Sequence, residues 1–276
     1  MPLTFTLKQP TAIPIEVDSI RLEAVREQSL DQIRATRVQY GNTQPALGEF
    51  FDVVGSAAED DHLVWVGDCS KVKLIAACWQ TGKVTVEGNA GMHLGAEMRG
   101  GDVVVHGSAG DWAGAEMKGG RIHIHGNTGN CAGAVYRGGR RGMTGGEIFV
   151  DGDAGSELGH ILRRGLIAVR GNAGDGMGFN MLAGSILVFG STGIRPGAGM
   201  RRGTICLLGT EPAPPLLPTF RFSCQYRPEF LKVYLLHLRR HGFTVPEECM
   251  RAAYRRYNGD FLELGKGEIL VRLPDD

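Results

Sequence analysis

GMHLGAEMRGGDVVVHGSAGDWAGAEMKGG, residues 91–120, carries GAEM, a basic residue and GG twice, starting at Gly95 and Gly114. The nineteen-residue offset extends well beyond this stretch. The glycine that opens each G-x-[VI]-x-[VIL]-x-G unit recurs at Gly82, Gly101, Gly120, Gly146, Gly165, Gly184 and Gly203. The intervals are 19, 19, 26, 19, 19 and 19, so one unit carries a seven-residue insertion. A degenerate earlier unit begins near Leu63. Positions three and five are aliphatic throughout, from Val84/Val86 to Ile205/Leu207, which is strand alternation with one buried face. A short strand cannot bury that face alone, but stacked copies can. The pattern predicts an all-β core, a parallel β-helix of 19-residue coils, each rising roughly 4.8 Å.

The other columns agree. Position eight is short and polar (Asn89, Ser108, Asn127, Asp153, Asn172, Ser191), suited to bonding turn backbone and its neighbours above and below. Position ten is always glycine, from Gly91 to Gly193, which implies positive φ or close backbone approach. A second inward column runs Met98, Met117, Met143, Leu162, Met181, Met200. The hexapeptide and calcium-binding nonapeptide patterns are missing.

The flanks are not repetitive. Three segments result: residues 1–48 with a short helix, 49–209 as the β-helix, and 210–276 as a C-terminal helix and extended capping tail. In SLDQIRATRVQYGN, Ser29 is the expected N-cap and Gly41 lies near the helix end. EPAPPLLP is a proline-rich exit that stops strand stacking. RPEFLKVYLLHLRRHG predicts an amphipathic helix with Phe230, Tyr234 and Leu238 in one stripe, Leu231 and Leu235 beside it, and Gly242 at its end. The tail predicts a turn at Asn258–Gly259. The flanks are expected to cap the open ends of the stack.

The chain has 276 residues, 42 of them glycine, and a formal net charge of zero, which gives no support for a nucleic-acid partner. No apolar run is long enough to span a bilayer, and the start shows no secretory pattern, so a cytoplasmic location is expected. The six cysteines form no CxxC pair and read as reduced thiols.

No order of Ser, His, Asp or Cys suggests a nucleophile, so no catalytic residue is expected. GNAGDGMGF lacks the helix a dinucleotide loop requires. Position six points outward and reads Glu87, His106, His125, Asp151, Arg170, Phe189. It reads as a polar ladder with His123 on the same exposed face, and no metal is expected. Position eighteen and its neighbours are cationic: Arg99, Lys118, Arg163, Arg164, Arg201 and Arg202, joined by Arg137, Arg140 and Arg141 in the insertion. Stacked cations repel unless an anion answers them. Glu97 and Glu116 answer only the first two, so the seven later arginines become candidates for a polyanionic ligand or an acidic partner. The apolar outward residues Phe149, Leu187, Phe189 and Leu208 call for a cover, from the C-terminal helix or another subunit.

GDCSKVK (67–73), GMHLGAEMRGG (91–101), GDWAGAEMKGG (110–120), RRGMTGGEI (140–148) and RRYNGDFLELGKGEIL (255–270) together resemble the C subunit of formylmethanofuran dehydrogenase. The resemblance is nearest to its counterpart in the formyltransferase/hydrolase complex of methylotrophic bacteria. The glycine-rich core also resembles the GXGXG domain of the glutamate synthase large subunit, which implies a right-handed β-helix. The resemblance implies a non-catalytic scaffold in one-carbon metabolism and formaldehyde oxidation. Its partners would be an amidohydrolase-like subunit, a formyltransferase subunit and a dehydrogenase-like subunit, with a dimer of heterotetramers as candidate assembly. Formyl would pass from formyl-tetrahydromethanopterin through formylmethanofuran to formate. The methanofuran-type carrier would belong to the complex, and zinc to one of the partners. The C subunit of a molybdenum or tungsten dehydrogenase and a glutamate-synthase-type structural module are the alternatives. A secreted polysaccharide enzyme is disfavoured by scattered acids.

Overall fold

The computed structural model describes residues 1–209 and 213–274; the Glu211–Pro212 part of the proline-rich exit lies outside the described residues. The strands before the repeats are β1 (Leu3–Leu7), β2 (Ile15–Glu16), β3 (Gln39–Tyr40), β4 (Phe51–Val54), β5 (His62–Val66) and β6 (Val72–Lys73). The repeats supply β7 (Lys83–Glu87), β8 (Asp102–Val105), β9 (Arg121–Ile124), β10 (Glu147–Val150), β11 (Leu166–Val169), β12 (Ser185–Val188) and β13 (Arg202–Leu207). The tail adds β14 (Arg221–Tyr226), β15 (Tyr254–Gly259) and β16 (Lys266–Arg272). Helices are few: α1 (Leu22–Val25), α2 (Leu30–Ala35), α3 (Leu47–Phe50) and α4 (Glu229–Arg240). The fold is mostly β, with a 13-stranded sheet ordered β14-β15-β16-β13-β12-β11-β10-β9-β8-β7-β5-β1-β4 among the described residues.

Strands β5 and β7 to β13 pair in parallel, and their register follows the glycine clock. Val84 faces Val103, Val103 faces Ile122, and across the insertion Ile122 faces Ile148. The seven extra residues therefore leave the sheet without shifting it. A slip of one residue would turn every aliphatic side chain to the wrong face. A second parallel ladder of single bridges links Cys69, Ala90, Ala109, Thr128, Ala154, Ala173 and Thr192, one per unit.

Between the ladders the short polar column bonds upward as expected. Asn89 Oδ1 accepts from the Ser108 N–H at 2.9 Å, Asn127 Oδ1 from Asp153 at 2.8 Å, and Asn172 Oδ1 from Ser191 at 2.9 Å. A parallel column runs through Asp111, Asn130 and Asp175, whose side chains accept from Asn130, Ser156 and Ile194 backbone N–H groups. The methionine column is fully buried, each side chain contributing roughly 1.5–3 kcal/mol of burial. The glycines divide into two roles. The opening glycine has positive φ, +80° at Gly101. The position-ten glycine has ordinary φ but no room: a Cβ on Gly91 would sit 2.4 Å from the Val72 carbonyl oxygen.

The flanks extend the sheet. β1 pairs in parallel with β5, and β4 closes that edge antiparallel to β1. At the other end β16 stacks on β13 as a further rung, Gly267 on Gly203 and Ile269 on Ile205, so the GKGEIL tail is a strand of the stack. Strands β15 and β14 then finish the sheet antiparallel.

The expected helix in the N-terminal flank is α2, with Ser29 as N-cap in a capping box with Gln32. It stops at Ala35, earlier than expected, where Thr36 turns extended. Gly41 instead shapes the turn between Tyr40 and Thr43. The tail turn also falls later than expected, over Asp260–Gly265, because Asn258 and Gly259 still pair with β16.

Helix α4 ends before Gly242 (φ +80°) as expected, but its buried stripe is Leu231, Leu235 and Leu238. Phe230 is exposed and Tyr234 lies at the margin. This stripe lies on Phe149, Leu187 and Leu208, so the chain's own helix covers the apolar half of the outward sheet face.

Candidate functional site

The seven candidate arginines are all exposed, but they do not share one environment. Arg137, Arg140 and Arg141 lie on the insertion, whose Gly142 N–H bonds the Ile161 carbonyl. Arg163 and Arg201 hold position eighteen in units separated by Leu182. Arg164 lies beside α4 in a cavity of about 430 Å³ shared with Glu147, Val233, Tyr234 and His237. Arg202 opens β13. The Arg201 Nε donates to Glu263 at 2.9 Å, so this arginine does have a carboxylate, supplied by the Asp260–Gly265 turn. Among the described residues no acidic side chain pairs with the other six.

The two early glutamates also differ from expectation. Glu97 takes the Lys118 ammonium at 2.9 Å, one unit away, whereas Glu116 accepts the Tyr136 N–H at 3.1 Å and answers no cation. Tyr136, from the insertion, reaches back to hydrogen-bond His93 at 2.9 Å, and the His93 ring stacks on Trp112. Burial pushes the Tyr136 phenol up to about 12 and holds the His93 imidazole below its ordinary value. This anchor is not legible from the repeat, because Tyr136 lies in the residues that break it.

Two clusters form on the outward sheet face. In the first, His125 Nδ1 and His123 Nε2 approach Asp151 Oδ2 at 2.7 and 3.2 Å. His123 is 8% exposed, not on the open face, because Phe243 from the C-terminal segment lies 6.4 Å from its ring. Burial acts to raise the Asp151 pKa, but hydrogen bonds from both histidines outweigh it and hold the carboxyl below its ordinary value. In the second, Glu147 joins Arg121 (2.9 Å) and His237 (2.5 Å), and Arg121 also reaches His241 at 3.2 Å. Burial and the Arg121 cation hold His241 below its ordinary value. This network ties α4 to the sheet, with Ser185 bonding Tyr234 at 3.3 Å beside it.

Comparison with known proteins follows the same outline. The GXGXG motif family matches residues 77–214. Over 98% of the chain and 100% of its counterpart, the structure superposes with a TM-score of 0.88 and 31% identity on a chain of the formyltransferase/hydrolase complex (FhcABCD) from Methylorubrum extorquens, solved with methylofuran. A stretch of 88 residues is 41% identical to the C subunit of the molybdenum-containing formylmethanofuran dehydrogenase 1 of Methanothermobacter marburgensis. The chain belongs to the family of formylmethanofuran dehydrogenase C subunits.

The C subunit of the tungsten-containing dehydrogenase 2 of the same archaeon is 36% identical over 97 residues. These matches cover 32% and 34% of the chain and only 22% and 36% of the two curated relatives. The buried thiols Cys69 and Cys206 are unpromising nucleophiles. Burial pushes Cys69 up to about 12 and raises Cys206 further, so little thiolate forms near neutral pH. Asp175 of the GNAGDGMGF stretch is spent on the corner ladder, and no helix follows it. No helix among the described residues is long and apolar enough to cross a membrane.

Proposed function

We propose that this chain is a non-catalytic scaffold within a cytoplasmic formyltransferase/hydrolase complex. In that complex formyl moves from formyl-tetrahydromethanopterin through a methanofuran-type carrier to formate. The observation that carries the reading is end-to-end likeness to a chain of such a complex, including both non-repetitive flanks. On this reading its partners are an amidohydrolase-like subunit that holds zinc, a formyltransferase subunit and a dehydrogenase-like subunit. The stacked units form a right-handed parallel β-helix of 19-residue coils spanning residues 49–209, closed by the segments 1–48 and 210–276. The register and the single-bridge ladder support this.

The exposed arginines Arg137, Arg140, Arg141, Arg163, Arg164 and Arg202, with Arg201 held by Glu263, serve in this reading as an anion-binding ridge for an acidic carrier tail or partner. The alternative, the C subunit of a dehydrogenase, rests on the 41% identity to the molybdenum relative. A gentle affinity pull-down of the tagged chain, with partners identified by mass, separates the readings. The proposal expects formyltransferase and amidohydrolase subunits. A molybdenum or tungsten protein gives the alternative, a glutaminase chain gives a glutamate-synthase-type module, and a lone active monomer contradicts all three. Charge reversal (Arg140→Glu with Arg141→Glu) should lower carrier retention in the purified complex. Unchanged retention and assembly removes the ridge from the proposal.

A further inference from the structure

The outward face of β9 and β10 holds a donor set of a kind metals use. Two imidazole nitrogens, His123 Nε2 and His125 Nδ1, and one carboxylate oxygen, Asp151 Oδ2, lie within 4.8 Å of one another. We infer that His123, His125 and Asp151 bind a divalent first-row transition cation of the zinc type.

The geometry is close to that of a bound site. Zinc–ligand bonds of about 2.0–2.1 Å in a tetrahedron place neighbouring donor atoms roughly 3.3 Å apart. His123 Nε2 already lies 3.2 Å from Asp151 Oδ2. His125 Nδ1 is nearer, at 2.7 Å, and must retreat by about half an ångström. Its side chain is 40% exposed, and its stacking neighbour, the His106 ring at 5.4 Å, is itself exposed and can shift with it. The other two donors are held. The His123 ring is wedged by Phe149 at 5.9 Å and Phe243 at 6.4 Å, and the side chain of Asp151 is 14% exposed. His123 sits within β9 and Asp151 directly follows β10, and such rigid elements keep the precision a metal site needs.

The nearest cation leaves the binding oxygen alone. Arg170 Nε donates to the Asp151 backbone oxygen at 3.0 Å and lies 3.9 Å from Oδ1, not Oδ2. The neighbouring trio of Glu147, His237 and His241 offers the same residue types but fails this test. Arg121 already occupies Glu147 Oε2 and faces the His241 Nε2 nitrogen, so a metal there would have to displace a guanidinium. Two histidines and one aspartate supply three ligands and leave a fourth position for water, the open arrangement that borderline divalent cations accept.

The test is titration of the full-length chain with Co2+, read by its visible d–d bands, followed by competition with Zn2+. The inference expects one Co2+ per chain in a tetrahedral environment, displaced by Zn2+. His125→Gln and Asp151→Asn should each weaken binding roughly tenfold or more, and His237→Gln should leave it unchanged. His125 is at the surface, so His125→Gln should melt as the parent does, and it decides the matter alone if Asp151→Asn unfolds. Absence of a tetrahedral cobalt spectrum overturns the site, as does a spectrum that survives His125→Gln or vanishes with His237→Gln.

Discussion

The outward face of the long sheet has two halves with opposite chemistry. Towards the N-terminus, β7 to β9 lead into Glu87, His106 and His125, where the stacked His106 and His125 side chains stay 48% and 40% exposed. Towards the C-terminus, β10 to β13 present Phe149, Leu187 and Leu208, sealed by α4. Both halves stand on the same inward ladder with the same register, so the repeated unit sets the platform and the non-repeating residues set what it carries. Glu147 and Asp151 mark the seam, one tied to α4 and the other to the histidines.

The most forceful way to break the contrast is to cut into the covered half. Leu235 is fully buried under α4, and Leu235→Ala should cost about 2–5 kcal/mol in urea unfolding. A smaller loss is expected at the seam, where Glu147→Ala leaves Arg121 without its main partner. About 1–3 kcal/mol of stability should disappear, and hydrogen exchange in α4 should quicken.

The end of the covered half adds an acid-dependent contribution. Asp260 is buried, which acts to raise its pKa, yet N–H groups of Leu262 and Gly199 hold it below the ordinary value. The unfolded chain therefore binds its proton first as pH falls. The contribution is complete above the ordinary aspartate value and is lost as pH drops through the lower folded one. Asp260→Asn should flatten the acid limb of a stability–pH curve. An unchanged limb refutes this contribution. The smallest effect belongs to the open half: His106→Ala should fall within about 0.5 kcal/mol of the parent in the same urea assay.

The repeat is legible because every unit meets the same packing demand. Aliphatic pairs, the methionine column and the polar corner column are each visible when the units are aligned, and each is found where the alignment puts it. What is not legible depends on single long-range contacts. Nothing in the order of residues says that Tyr136 reaches His93, that Glu263 answers Arg201, or that Phe243 buries His123. The buried stripe of α4 takes Leu231 and Leu235 with Leu238 in place of Phe230 and Tyr234, because the burial is decided by the sheet beneath. The tail strand β16 is hidden too, although its Gly267-Glu268-Ile269-Leu270-Val271 follows the unit it joins.

The central claim is that this chain holds catalytic partners together and supplies no reacting group. The direct measurement is formate release from the formyl-pterin donor by the purified assembly, made with and without this chain. The account predicts that the separated partners keep their individual half-reactions while the coupled rate collapses when the chain is left out. A coupled rate that is unchanged without it would contradict the scaffold role.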